Sequence, residues 1–172
     1  MRALKLALGL LLMLAVGAAA LLGMARFSDG PLEIIAGGPL TGGELVSGPE
    51  PDWSWIREVT TVEFQLLEPP RSRTTWILEH DGRIFIPCGY MNSTWGRIWK
   101  RWPIEAEQDG RAILRVDGKR YSRQLVRVRD PDLASFLVAE LNRKYGSKAT
   151  AETVAAGSLW LFELTPRDHS SD

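Results

Sequence analysis

Cysteine and histidine are nearly absent. The 172 residues hold one cysteine, Cys88, and two histidines, His80 and His169. One cysteine excludes an internal disulfide and any all-cysteine metal site. Phe85 and Ile86 beside it mark a buried, inert thiol rather than a nucleophile. No metal-ligating residues fall at useful spacing. A Ser-His-Asp arrangement cannot be argued either, since His80 adjoins a turn and His169 lies in the tail. The carboxylates Glu105, Glu107 and Asp109 read as a solvated loop. Internal repeats are missing too. If the protein is an enzyme, a cofactor must carry the chemistry.

Charge is also missing between Leu6 and Ala25, a run of 20 residues bounded by Lys5 and Arg26. At the α-helical rise, about 20 residues cross a hydrocarbon core of about 30 Å. Arg2 and Lys5 precede the run, whereas Arg26, Asp29 and Glu33 follow it without net positive charge. The positive-inside rule keeps the N-terminus in the cytoplasm and sends the rest across. The expectation is a single-pass membrane protein with its C-terminal domain extracytoplasmic, hence periplasmic in a Gram-negative cell. Ala18-Ala19-Ala20 leaves open a cleaved signal peptide. Leu21-Leu22-Gly23-Met24 continues the apolar run past that point and favours a retained signal-anchor over residues 1–26.

Regular structure is scarce next. Residues 27–51 are crowded with Gly and Pro, from Gly30-Pro31 to Pro49 and Pro51, and read as a partly ordered linker. The segment Leu32-Glu33-Ile34-Ile35 can dock on the domain or lie at the bilayer surface. Trp53 and Trp55 either plug a barrel end, the preferred reading, or sit in the bilayer interface.

Residues 52–165 change texture. Strands are expected at 57–67, 73–79 and 83–88, the last two joined by Asp81-Gly82, a hairpin dipeptide. Trp95, Ile98, Trp99 and Trp102 share one helical face over 94–102, and Pro103 stops or kinks that helix. Strands follow at 111–116 and 119–129 about Asp117-Gly118. Asp130 and Pro131 open a helix with Leu133, Phe136, Leu137, Glu140 and Leu141 on its inner stripe, and Gly146 closes it. A short helix or turn at 149–156 and a strand at 158–165 precede a polar tail, 166–172. Six strands in a domain this small must close or nearly close to protect their edges. The expected class is mainly β (α+β): a six-stranded antiparallel barrel with two flanking helices.

This layout resembles the FMN-binding split-barrel superfamily, which includes pyridoxamine-phosphate oxidase-like and deazaflavin-dependent nitroreductase-like proteins. The likeness is carried by Glu79-His80-Asp81-Gly82-Arg83-Ile84-Phe85-Ile86, by Trp95 to Trp102 with Pro103, and by Ile113 to Tyr121 continuing into Leu125-Val126-Arg127-Val128. Lys144-Tyr145-Gly146 also fits. The resemblance implies a homodimer with FMN or deazaflavin at its interface. It places the cofactor phosphate near Arg73, Thr75, Ser93, Arg97, Lys100 and Arg101, with Thr74 and Asn92 in the same region.

Charge gives a separate indication. Between Arg97 and Arg129 stand ten Lys or Arg and four Asp or Glu. Such a face is a solvated barrel exterior, a seat for a phosphate-bearing cofactor, or a contact for anionic lipid headgroups. Nucleic acid is excluded as a partner, because residues 26–172 carry 19 basic against 21 acidic groups and lie in the wrong compartment. Two functions remain: a binding module without catalytic residues of its own, or a flavin- or deazaflavin-dependent oxidoreductase.

Overall fold

A computed structural model describes residues 2–32, 35–89, 91 and 101–168. Helix α1 (Arg2–Ala25) is the apolar run, and its leucines stay exposed. Among the described residues it is the one helix long and apolar enough to cross a membrane.

The strands are β1 (Glu44–Val46), β2 (Thr61–Leu66), β3 (Arg71–Trp76), β4 (Leu78–His80), β5 (Arg83–Cys88), β6 (Arg111–Val116), β7 (Lys119–Arg127) and β8 (Trp160–Pro166). The helices after α1 are α2 (Trp102–Gln108), α3 (Pro131–Tyr145) and α4 (Ala151–Ala155), and a 3-10 turn spans Ser54–Glu58. Eight strands stand where six are expected. One extra strand is β1, formed inside the Gly/Pro-rich stretch by parallel pairing with β7. The other arises because the 73–79 strand starts at Arg71 and breaks at Ile77.

The sheet order is β3-β2-β6-β7-β8-β5-β4, antiparallel throughout this path. Its two end strands, β3 and β4, are separated in sequence by Ile77 alone. The sheet therefore curls until its ends meet in one stretch of chain. Ile77 cannot belong to both ladders, and α3 supplies the missing partners. The Tyr145 hydroxyl accepts from the Ile77 N–H at 3.0 Å and lies 2.8 Å from the Ile77 carbonyl. Lys144 Nζ donates to the carbonyls of Ile77 and Ile56, each at 2.9 Å. Trp76 stacks on Tyr145, with centroids 4.5 Å apart. Trp76 is thus outside and half-exposed, while Ile77 is buried.

Two cores flank β5, whose sequence is apolar on both faces. Inside the barrel, Ile84 and Ile86 meet Phe64, Leu114, Phe162 and Trp102. Outside it, Phe85 packs under Leu137, Val138 and Leu141 of α3. Phe136 leaves the expected inner stripe, is 61% exposed, and stacks on His80. Trp53 is fully buried against Tyr121 as a plug, while Trp55 remains 39% exposed. Both Asp-Gly hairpins adopt positive φ at both positions, as type I′ turns require. Asp130 caps α3, and Gly146 ends it in the left-handed region.

Most of the expected 94–102 helix lies outside the described residues. Pro103 stands in the first turn of α2. A first-turn proline has no hydrogen bond to lose.

Residues 26–32 and 35–43 form a strap packed on β2, β3 and β6. Asp29 accepts from the Thr41 and Gly42 N–H groups at 2.8 and 3.0 Å. Its carboxylate also receives Arg115 Nη1 at 2.8 Å, while Arg115 Nε reaches Glu63 at 2.5 Å. Leu40 is buried, and its N–H donates to the Gln65 side chain. Gly37 donates to the Ser72 carbonyl at 3.0 Å, and Ser72 Oγ donates to the Gly38 carbonyl at 2.6 Å.

Candidate anion site at the split

Strand β4 covers only Arg83–Phe85 of β5, so the C-terminal half of β5 has no β4 partner and the barrel is split there from β3. The register fixes what faces the opening. Thr75, Arg73 and Arg71 pair with Val62, Phe64 and Leu66. Directly paired residues point to the same side of a sheet. Since Val62, Phe64 and Leu66 are core, Arg71, Arg73 and Thr75 share the inward face. Thr74 turns the other way and lines an open outer cleft of about 990 Å³ with Trp55, Glu63 and Asp117.

Arg73 sits in a partly dehydrated position on this face. Burial pulls its guanidinium below the ordinary value, Glu105 opposes this, and neighbouring Arg71 adds to it. Arg73 Nη1 donates to the Arg71 carbonyl at 3.1 Å. Arg71 Nε and Glu105 Oε2 are buried without a hydrogen-bond partner. Two like charges are therefore held together, one partly dehydrated and the other with an unmet donor. A buried unmet donor costs about 1–3 kcal/mol. An oxyanion resting on both arginines relieves both penalties, because guanidinium forks match phosphate and carboxylate oxygens.

Of the six residues the resemblance singles out, Arg73 and Thr75 share this inward face. Arg101 is exposed at the N-cap of α2, the helix that carries Glu105. Ser93, Arg97 and Lys100, like Asn92, lie outside the described residues. Arg71 was missed, because a strand begun at 73 excludes it. The alternation Arg71, Arg73, Thr75 opposite Leu66, Phe64, Val62 is the signal that finds it. Glu105 is a partly buried helical carboxylate, not a solvated loop group.

Among the described residues, the arginines from Arg111 to Arg129 are paired within the fold. Arg111 pairs with Asp109 at 2.8 Å, and Arg127 and Arg129 both reach Glu107 at 2.8 Å. Arg115 holds Asp29 and Glu63, and Arg120 donates to the Gly43 and Leu40 carbonyls at 3.1 and 3.0 Å. Arg123 is inside the barrel, 2% exposed, with Nη1 2.8 Å from Glu50. These arginines tie the fold together and are not an open basic face.

Comparison with known proteins adds similarity of chain course. No protein-family model and no curated protein matches the chain. Among solved structures it is similar to a proposed pyridoxamine 5'-phosphate oxidase of Listeria innocua, at 8% identity and a TM-score of 0.48, over 66% of this chain and 88% of that one. It is similar to the haem storage protein of Vibrio cholerae, at 13% and 0.46, over 69% and 90% of the two chains. A conserved hypothetical protein of Mycobacterium tuberculosis is similar at 12% and 0.48, over 76% and 86%. The fold observed is an antiparallel split barrel. What it binds is read from its own residues.

Proposed function

We propose that this chain is a membrane-anchored binding module, its barrel on the extracytoplasmic side, that takes an anionic ligand at the split. The observation that carries the reading is the Arg71–Arg73 pair on the inward face of β3, with a buried, unpartnered Nε. Arg71 and Arg73 hold the oxyanion, Thr75 offers a hydroxyl on the same face, and Glu105 offsets part of the charge on Arg73. The anchor is supported by the length and apolar character of α1. The orientation is supported by Arg2 and Lys5 before it.

A second reading uses the same residues. In a flavin- or deazaflavin-dependent oxidoreductase, Arg71 and Arg73 would hold the cofactor phosphate, and the cofactor would supply the redox chemistry. The orphaned Arg71 Nε fits a phosphate oxygen equally well.

The test is equilibrium binding of inorganic phosphate and of FMN to the detergent-solubilised full chain, with a visible spectrum taken after FMN. Saturable binding that is lost in Arg71→Gln with Arg73→Gln is expected. A stoichiometric flavin spectrum selects the second reading. Binding equal in variant and wild type would falsify the site.

A further inference from the structure

Outside α1, eight large apolar side chains are exposed among the described residues. Three are scattered: Ile104 on α2, Val126 on β7 and Phe136 on α3. The other five, Phe27, Leu32, Leu45, Trp55 and Trp76, gather around one outer face of the barrel. On β3, Ser72, Thr74 and Trp76 alternate with the inward Arg71, Arg73 and Thr75, so Trp76 points outward. Its partner on β2 is Thr61, and Thr61 and Thr74 line the outer cleft together with Trp55. Leu45 pairs with Arg120, and Arg120 with Arg115, which lines the same cleft. Leu32 follows Pro31, another lining residue.

The anchor leaves from this face. Ala25, the last residue of α1, is buried. A Cβ placed on Gly38 would lie 2.5 Å from the Arg26 carbonyl oxygen and 2.6 Å from that of Ser28. Gly38 therefore lies in backbone contact with the chain as it leaves the helix. The Gly38 carbonyl accepts from Ser72 Oγ at 2.6 Å, and the Gly37 N–H donates to the Ser72 carbonyl at 3.0 Å. Ser72 is on the outward side of β3, so a single thickness of chain separates the helix exit from that side. Asp29 ties the same segment to Arg115 and to the Thr41 and Gly42 N–H groups. Phe27, between Arg26 and Ser28, is 92% exposed. Trp76 is four residues along the strand from Ser72, roughly 13 Å away. The apolar patch thus begins where the helix ends.

The indole N–H groups of Trp53 and Trp160 are satisfied within the fold. Trp53 Nε1 donates to Glu50, and Trp160 Nε1 donates to the Gly157 carbonyl at 2.9 Å. Those of Trp55 and Trp76 have no acceptor among the described residues. The Trp55 ring leans on Trp53, and the Trp76 ring stacks on Tyr145. A ring packed against the fold on one side, with its N–H left to an outside acceptor, suits the headgroup level of a bilayer.

We infer that this outer face is a bilayer-contact face: the barrel lies against the lipid surface, with Phe27, Trp55 and Trp76 in the headgroup layer and the strap between sheet and membrane. This rests on the reading of α1 as an anchor. It is independent of the arginine pair, which points into the barrel. An anchor holds the bilayer beside the face from which it leaves, at an effective concentration that a free partner lacks.

The full chain in nanodiscs tests this by tryptophan fluorescence. One set of discs is phosphatidylcholine, and the other is the same lipid brominated high in its acyl chains. Retention of the chain by the discs is read first, by size exclusion. Brominated lipid is expected to quench about a quarter of the emission, since two of the seven tryptophans stand on this face. Trp55→Phe with Trp76→Phe is expected to abolish most of the quenching. If circular dichroism finds the double variant unfolded, Trp55→Phe alone is expected to halve the effect. A chain retained by the discs but not quenched overturns the contact face, leaves the anchor standing and frees the face for a protein partner. Quenching unchanged in the variants overturns it as well, because other tryptophans then carry the signal. A chain that the discs do not retain overturns the anchor and the contact face together.

Discussion

Two groups of inward-facing arginines stand in opposite conditions. Arg123 on β7 is 2% exposed, and its Nη1 donates to both oxygens of Glu50, at 2.8 and 2.9 Å. Its guanidinium lies over the Trp53 and Tyr121 rings, with centroids 5.0 and 5.5 Å away. The chain has carried Glu50 and Trp53 from the segment before β2 to meet its Nη1 and cover its face. Among the described residues, Glu105 and Cys88 are the groups that favour the charge on Arg73 of β3, and Arg71 Nε is left buried without a partner. Where the chain supplies its own carboxylate and rings, the arginine is part of the fold. Arg123 Nε is itself buried without a hydrogen-bond partner, so what separates the two groups is the carboxylate that meets Arg123 Nη1 and that Arg71 lacks among the described residues.

The largest expected effect comes from breaking the completed case. Glu50→Ala leaves a buried guanidinium unpaired and is expected to cost about 3 kcal/mol in denaturant unfolding. Adding Arg123→Met should restore most of it, because an apolar side chain needs no partner there. If Glu50→Ala costs less than about 1 kcal/mol, Arg123 is solvated through the plug and the contrast disappears.

Next comes the incomplete case, with opposite sign. Arg71→Met removes one of two neighbouring positive charges and an unmet donor. Without ligand it is expected to be neutral or stabilising by up to about 1 kcal/mol. The same substitution should abolish anion binding. A loss above about 1 kcal/mol in ligand-free protein would mean that Arg71 already has a structural partner, and would remove the reason to propose a site.

How far the sequence discloses these regions follows from the range of the interactions. The Asp81-Gly82 and Asp117-Gly118 hairpins and the Asp130 and Gly146 ends of α3 are written locally, within a few residues. They are found where expected. The seam at Ile77 is not legible, because its partners Lys144 and Tyr145 come from far along the chain. Strand β1 and the strap are hidden by their glycines, which have no side-chain alternation to read. Those glycines are nonetheless required where backbones touch, as at Gly38 against Arg26. That Arg71 shares a face with Arg73 and Thr75, the two residues the resemblance points to on this strand, needs the register with Leu66. The arginines after residue 110 misled by count, since Glu107, Asp109, Glu50 and Asp29 neutralise them in space.

The smallest effect concerns Arg115, the intermediate case: paired by the chain, but with a half-exposed partner. Burial disfavours ionised Asp29, but the Thr41 and Gly42 N–H groups and Arg115 outweigh it and hold the carboxyl below its ordinary value. A carboxyl with a folded value below its unfolded one of about 3.9 lends stability that is complete well above pH 4. That stability is lost as pH falls through the folded value. Near the surface the contribution is small and screened by salt. The strap should therefore loosen below about pH 4 before the barrel unfolds. The readout is amide exchange at Thr41 and Gly42, corrected for intrinsic rate, in wild type and Asp29→Asn. Wild-type protection should fall on acidification, while the variant starts lower and stays flat over the same range. Parallel acid responses in the two proteins would place the loosening elsewhere, and the anchor would then be clamped to the barrel chiefly by Leu40 and the Gly37–Ser72 pairing.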